Sequence, residues 1–175
     1  VISDDELIQQ ADQGNPEAFE ALYHRHRDWV YRLAWRFTGN QADALDVLQE
    51  TFLYLLGKSP GLHLTASLTT FLYPVVKHLS LNLRRRRAGG QIDDDILLSL
   101  PDSAGPQTSR TELTAALATL PVEQREVVLM RFLDDMNLDE IAQALQVPTG
   151  TIKSRLHRAL GTLRHDPRTR DYFLG

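Results

Sequence analysis

Residues 149–158 combine short polar side chains with cations and contain no acid. If this stretch is helical with Ile152 and Leu156 turned inward, a step of about 100° per residue turns Gly150, Ser154, His157 and Arg158 outward, flanked by Thr151 and Lys153. Short side chains at a helix start with cations around them suit insertion into a DNA major groove. An ordinary helical hairpin with a basic rim has the same spacing. A second set, Tyr73, Lys77, Ser80 and Arg84, recurs at i, i+4, i+7 and i+11 and so shares one helix face. An aromatic among cations fits base stacking with backbone tracking on single-stranded nucleic acid. A third set, Asp43, Asp46 and Glu50, recurs at i, i+3 and i+7, with Gln49 beside it. Three acids on one face repel one another, and a basic partner reverses that cost; a merely solvated acidic face is the plain alternative.

Catalytic constellations are missing from the sequence. It has no Gly-rich phosphate loop, no His-Glu-x-x-His and no Gly-x-Ser-x-Gly. His24 and His26 are two apart and point to different sides of a helix, while Glu20 and His24 make a solvated i, i+4 pair rather than a repeated metal motif. No cysteine is present, which removes thiolate metal sites and thiol nucleophiles. The reading is not an enzyme, with no cofactor and no metal.

The three sets need elements to hold them, and the sequence supplies helices. With 42% hydrophobic and 24% charged residues the chain of 175 is globular in composition. Ser3 with Glu6 forms a capping box, Gly14 stops that helix, and Asn15-Pro16 opens a second that runs to Gly39. Asn40 caps a third, with Leu45, Leu48, Phe52 and Leu55 as its stripe, ending near Gly57. A loop at 58–67 with Pro60 and Gly61 leads to a fourth helix, whose Leu68, Phe71, Leu72, Val75, Val76, Leu79 and Leu83 share a face. That stripe runs through Pro74, so periodicity predicts one bent helix. Residues 88–108, with Gly89, Gly90, Asp93 to Asp95, Pro101 and Pro106, read as an acidic linker. Ser109 with Glu112 caps a helix to about Thr119, Pro121 starts another through Phe132, and Asn137 with Glu140 caps one to Leu145. The turn Gln146-Val147-Pro148 and a final helix through Arg164 complete a helix-turn-helix, in which Ile141, Ala142 and Leu145 pack on Ile152, Leu156 and Leu160. The fold class is all-α, in two small domains.

Net charge is −4, but it is unevenly distributed. Residues 1–60 carry −5, 61–92 carry +5, 93–112 and 113–150 carry −4 each, and 151–175 carry +4. Local fields, not the total, decide what such a surface attracts. No apolar run approaches the roughly 18 residues of a spanning helix, and the acidic opening Val1-Ile2-Ser3-Asp4-Asp5-Glu6 is unlike a signal peptide. The expectation is a soluble, cytoplasmic protein without membrane insertion.

Leu120-Pro121-x-x-x-Arg125-Glu126-Val127-Val128, Glu140-Ile141-Ala142 and Gly150-Thr151-Ile152-Lys153-Ser154-Arg155-Leu156-x-Arg158-Ala159 together resemble the fourth conserved region of bacterial extracytoplasmic-function sigma factors. Residues 44–52, with Asp46 and Gln49-Glu50-Thr51-Phe52, resemble that family's core-polymerase-binding helix. Phe71-Leu72-Tyr73 through Arg84 to Arg87 resembles its promoter-melting helix. The resemblance spans residues 3–165. It implies a transcription initiation factor of the stress-response class whose partners are the clamp helices of core RNA polymerase, promoter DNA and an anti-sigma factor. It implies residues 1–87 as the polymerase-binding and −10 domain, 88–108 as linker and 109–165 as the −35 domain. Residues 166–175 are an extension without an assigned role. It places Asp43, Asp46, Gln49 and Glu50 against polymerase, and Tyr73, Lys77, Ser80, Arg84 and Arg85 against −10 DNA. Thr149, Thr151, Lys153, Ser154, Arg155, His157 and Arg158 fall on −35 DNA, and the loop 58–67 is the family's place for capturing a flipped base. The sequence departs from the pattern at Leu45, at Pro74, and at Gln146, which stands at a turn position commonly Gly. Two other classes compete: a helix-turn-helix regulator acting without polymerase, whose response-regulator form needs an α/β receiver, and a helical adaptor that binds protein alone.

Overall fold

The computed structural model describes residues 1–90 and 107–170, with the side chains of 107–110 and everything at 91–106 and 171–175 outside the description. Among the described residues there are eight α-helices and no strand. The chain divides into two compact units, at 1–99 and 100–175.

The first unit holds α1 (Asp4–Asp12), α2 (Pro16–Thr38), α3 (Gln41–Gly57) and α4 (Leu68–Arg87). Its ends are set by the residues the sequence marks. The Glu6 amide donates to Ser3 Oγ at 3.2 Å, and the Ser3 amide donates to Glu6 Oε2 at 2.8 Å. That amide, and then the Ser3 hydroxyl, hold the Glu6 carboxyl below its ordinary range. At the other end of α1, Gly14 at φ +88° lets its own amide reach the Ala11 carbonyl and the Asn15 amide reach that of Gln10. Such a left-handed residue satisfies the last carbonyls and turns the chain. Asn15, Asn40 and Ser67 cap α2, α3 and α4.

α2 is the central element, packing on α1, α3 and α4, and α3 packs on α4. Leu22, Val30, Leu33, Ala34 and Phe37 of α2 are almost fully buried against Val47, Phe52 and Leu55 of α3 and Leu68, Leu72 and Val76 of α4. Each large side chain so buried stabilises the unit by about 1.5–3 kcal/mol. α1 is fastened by Leu7 and Ile8 and by Asp4, which accepts from Arg25 Nη1 at 2.6 Å and lies 2.8 Å from Nε2 of the buried His26. His24, by contrast, is exposed beside Glu20 at 3.4 Å.

Two helix faces differ from the sequence expectation. Leu45 is 45% exposed and does not belong to the α3 stripe; Ala44, Val47, Leu48, Thr51, Phe52 and Leu55 form it instead. α4 is one unbroken helix through Pro74, as the periodicity predicts, with the proline ring facing water. Its inward face, however, is Leu68, Leu72, Tyr73, Val76 and Ser80, while Phe71, Val75, Leu79 and Leu83 are only half-buried. The aliphatic residues alone put the stripe slightly off, because they leave out an aromatic with a polar tip and a small serine.

The second unit holds α5 (Gln107–Ala118), α6 (Val122–Phe132), α7 (Leu138–Leu145) and α8 (Thr149–His165). α5 starts two residues before the expected Ser109 cap, so Ser109 lies inside its first turn and the linker expected at 88–108 overlaps the helix at its last two positions. The buried Arg125 explains the Leu-Pro-x-x-x-Arg spacing. Its Nε donates to the Leu117 carbonyl at 3.1 Å, and Nη2 donates to those of Ala118 and Leu120 at 3.2 and 3.0 Å. One side chain thus satisfies the open carbonyls at the end of α5. Asn137 and Glu140 form the expected reciprocal cap of α7, at 2.9 and 2.8 Å. Past α8, Thr169 is fully buried and donates to the Leu163 carbonyl at 2.8 Å, while Arg168 holds the Asp166 carboxyl at about 2. Residues 166–170 therefore finish the last helix rather than trail from it.

Gln146 ends α7 in the left-handed conformation, φ 55° and ψ 45°. An L residue there carries a steric cost of about 1–2 kcal/mol that glycine avoids, and the Gln146 side chain is exposed. Gln146→Gly is expected to stabilise the second unit by about 1 kcal/mol after glycine's larger unfolded-state entropy is counted. Urea melts of the two proteins test this; a lower midpoint for the variant contradicts the strain.

Candidate DNA and protein interfaces

In the second unit, α7 and α8 cross with Ile141, Ala142, Ala144, Ile152, Ala159 and Leu163 buried between and beneath them. The small Ala142 and Ala159 permit close approach, while the expected partners Leu145, Leu156 and Leu160 are half-buried. This packing turns Lys153, Ser154, His157 and Arg158 to solvent on one face, with Thr149 and Thr151 half-exposed at its start. α8 carries no acid at all. A cleft of about 350 Å³ opens beside the face, lined by Gln124, Gly150, Thr151, Ser154, Arg155 and Arg158 among others. Two of the expected contacts are tied internally. The Thr149 hydroxyl donates to Asp139 Oδ1 at 3.0 Å, joining the starts of α7 and α8. Arg155 turns towards α6, with Nη2 3.5 Å from Glu123 Oε2.

In the first unit, Asp46, Gln49 and Glu50 are exposed on α3, as their spacing predicts. Asp43 is not: it is 2% exposed and lies 2.5 Å from Arg87 Nη2 at the end of α4, while its Oδ2 accepts from Asn40 Nδ2 at 3.0 Å. It stands in the first turn beside the buried Ala44, where the end of α4 closes over it. What accompanies the acids instead is apolar. Leu45, Leu53 and Leu56 are 45%, 66% and 50% exposed, so the face is an acidic and leucine-rich strip about three turns long. Phe52 and Leu55 facing inward was the signal that Leu53 and Leu56 face out.

On α4, Tyr73 and Ser80 are fully buried and cannot contact DNA. The Tyr73 ring packs edge-on against Phe37 at 6.3 Å, and Ser80 lies in the same packed stripe. Lys77, Arg84 and Arg85 are half-exposed, and the outward face adds His78, Asn82 and Arg86. An exposed and a half-exposed aromatic of this unit lie elsewhere. Tyr54, near the end of α3, and Phe71, in the first turn of α4, have ring centroids 6.3 Å apart with planes 30° from parallel. Lys58 Nζ lies 4.9 Å from the Tyr54 centroid. Tyr54 and Phe71 flank the loop 58–67, which Lys58 opens, and no acid occurs between 61 and 92. Two aromatics bracketing a Pro-Gly loop were the sequence signal for this platform, masked because Phe71 also fits the apolar stripe.

Among the described residues no cluster of metal-ligating side chains occurs, and no helix is long and apolar enough to cross a membrane. The Sigma-70 region 2 family matches residues 22–89, and the Sigma-70, region 4 family matches residues 110–163. The chain is 33% identical over 151 residues to the ECF RNA polymerase sigma factor SigL of Mycobacterium tuberculosis, covering 82% of this chain and 85% of that protein. It is 30% identical over 140 residues to the RNA polymerase sigma factor SigV of Bacillus subtilis, covering 79% and 84%. Among solved structures it resembles CnrH, determined in complex with the cytosolic domain of CnrY, with a TM-score of 0.67 and 22% identity over 91% of this chain and 93% of that one.

Proposed function

The chain belongs to the extracytoplasmic-function RNA polymerase sigma factors, and from that premise we propose how its surfaces divide the work. As a member of this family it binds core RNA polymerase and directs it to specific promoters for transcription initiation. The observation that carries this function is the order on one chain: a region 2 bundle with an exposed acidic and leucine-rich helix, then a region 4 helix-turn-helix with an acid-free outer face. A regulator acting without polymerase, or an adaptor that binds protein alone, has no use for both.

Residues 1–87 act as the polymerase-binding and −10 domain, 88–108 as the linker and 109–165 as the −35 domain. Asp46, Gln49 and Glu50, with Leu45, Leu53 and Leu56, dock on the clamp helices of polymerase. The acids steer and orient the encounter with a basic partner, and the leucines supply the apolar contact that charge alone lacks. An anti-sigma factor is a further partner. Lys77, Arg84 and Arg85 track the backbone of the melted −10 strand. Tyr54, Phe71 and Lys58 take an unstacked base beside the loop 58–67, by stacking and cation–π contact.

Lys153, Ser154, His157 and Arg158 enter the −35 major groove, with Thr151 at its edge; Thr149 and Arg155 hold the helix in place and meet phosphate. Arg158→Ala is expected to cost about 1–3 kcal/mol of promoter affinity, concentrated at one base pair, if its guanidinium reads a base edge. A loss spread evenly over all sequences with a flatter salt dependence assigns it to phosphate. Unchanged binding in a bandshift removes this face from the interface. The whole function is tested by run-off transcription with bacterial core polymerase on a genomic library. Selective transcripts that require the chain support it, and none above core polymerase alone refutes it.

A further inference from the structure

We infer that Asp12, the last residue of α1, is a positioning residue for promoter reading: its carboxylate fixes the loop 58–67 in the conformation that presents it to the melted −10 strand. The inference rests on the reading of that loop and the Tyr54–Phe71 platform proposed above.

Asp12 lies on α1, which contributes nothing else to the expected DNA surface. Its Oδ1 accepts from the Ser59 hydroxyl, and its Oδ2 accepts from the Gly61 amide at 2.8 Å. Both oxygens are thus committed to one short segment 47–49 residues further along the chain. One donor is a side chain and the other is backbone, so the pair sets the position of the loop and its orientation together. Charge-assisted bonds of this kind are about twice as strong as neutral ones. Gly61 sits at φ +103°, which side-chain-bearing residues rarely adopt, and a Cβ there would meet nothing within 4 Å. The glycine is therefore present for its backbone angle, which turns the chain directly after the amide that Asp12 holds.

The far end of α1 is anchored separately, by Leu7 and Ile8 in the core and by Asp4 on Arg25 and His26. Asp12 is consequently not what docks the helix. An acid beside a nucleic-acid surface ordinarily repels phosphate. Here the Gly61 amide first, and the Ser59 hydroxyl second, stabilise the carboxylate and keep the carboxyl below its ordinary range, so it stays the ionised acceptor that both bonds use. The loop gains rigidity from a carboxylate that turns both of its oxygens to it.

The test uses full-length chain assembled with bacterial core polymerase, on a promoter library selected by the wild-type holoenzyme and randomised in the −10 hexamer. Run-off products are sequenced for wild type, Asp12→Ala, Asp12→Asn, Ser59→Ala and the loop variant Leu62→Gly/His63→Gly. Asp12→Ala is expected to lower base discrimination at one −10 position by about fivefold or more. Asp12→Asn, which keeps an acceptor for the Gly61 amide, and Ser59→Ala should fall between it and wild type. Preference at the −35 element and affinity for core polymerase should stay within about twofold, since neither surface contains Asp12. Wild-type discrimination in Asp12→Ala, with the loop variant altered, overturns the role of Asp12 alone. Wild-type discrimination in the loop variant overturns the reading of the loop, and this inference with it. Equal losses at −10, −35 and core polymerase show a general folding defect and also overturn it.

Discussion

Charge reversal of the two exposed acids, Asp46→Arg with Glu50→Arg, is expected to weaken binding to core polymerase by about 2–5 kcal/mol, the range for placing like charges across a charged interface. That is roughly thirtyfold to several-thousandfold in a competition assay against labelled wild type. Both side chains are exposed on α3 and neither has a partner in the core, so helicity and the unfolding midpoint should stay near wild type. Asp43 is unsuitable for the same experiment. It is buried under Arg87, and its reversal would break an ion pair inside the fold, so weak binding would report a damaged domain. A double variant that competes as well as wild type places the docking surface elsewhere on the bundle.

Tyr73→Ala is expected to destabilise the first unit by about 3–5 kcal/mol, the usual cost of deleting a buried aromatic. The ring is fully buried against Phe37, where α4 packs on α2. Tyr73→Phe keeps the ring and should keep most of the stability. Tyr54→Ala should do the opposite: little change in melting, because the ring is 40% exposed, but fewer reactive thymines in permanganate footprints of the open complex. Urea melts and footprints on the same three variants separate the roles. A Tyr73→Ala protein that melts like wild type contradicts the packing described for α4.

Helix count and most helix ends were legible because they are written in local chemistry, the start of α5 being the exception. Ser3 with Glu6, Asn15-Pro16, Asn40 and Asn137 with Glu140 each cap a helix where their side chains can reach an open amide. The face of α8 was legible as well, since Ile152 and Ala159 fix its rotation and no acid interrupts the cations. The rotation of α4 was not, because periodicity gives a face only as well as each residue's burial is guessed. Tyr73 and Ser80 look polar but are buried; Phe71 looks like core but stands half-exposed beside Tyr54. Asp43 escaped for a different reason. Its partner Arg87 lies on another helix, and no spacing rule within α3 could show that the two meet.

Helix termini exchange their amide protons first, since their outer hydrogen bonds open without unfolding the rest. The arginine run 84–87 stands at such a terminus, and the contact of Arg87 with Asp43 fastens it to the first turn of the neighbouring helix. Fraying of the α4 end therefore has to break an ion pair with a buried carboxylate, not merely a hydrogen bond to be replaced by water. The protection of amides at the end of α4 and at the start of α3 should accordingly rise and fall together. A partner held on the exposed strip of α3, as proposed above for polymerase, would then slow exchange at the arginines as well. The ion pair thus makes two helix ends a single opening unit: whatever stiffens the start of α3 stiffens the arginine end of α4 with it.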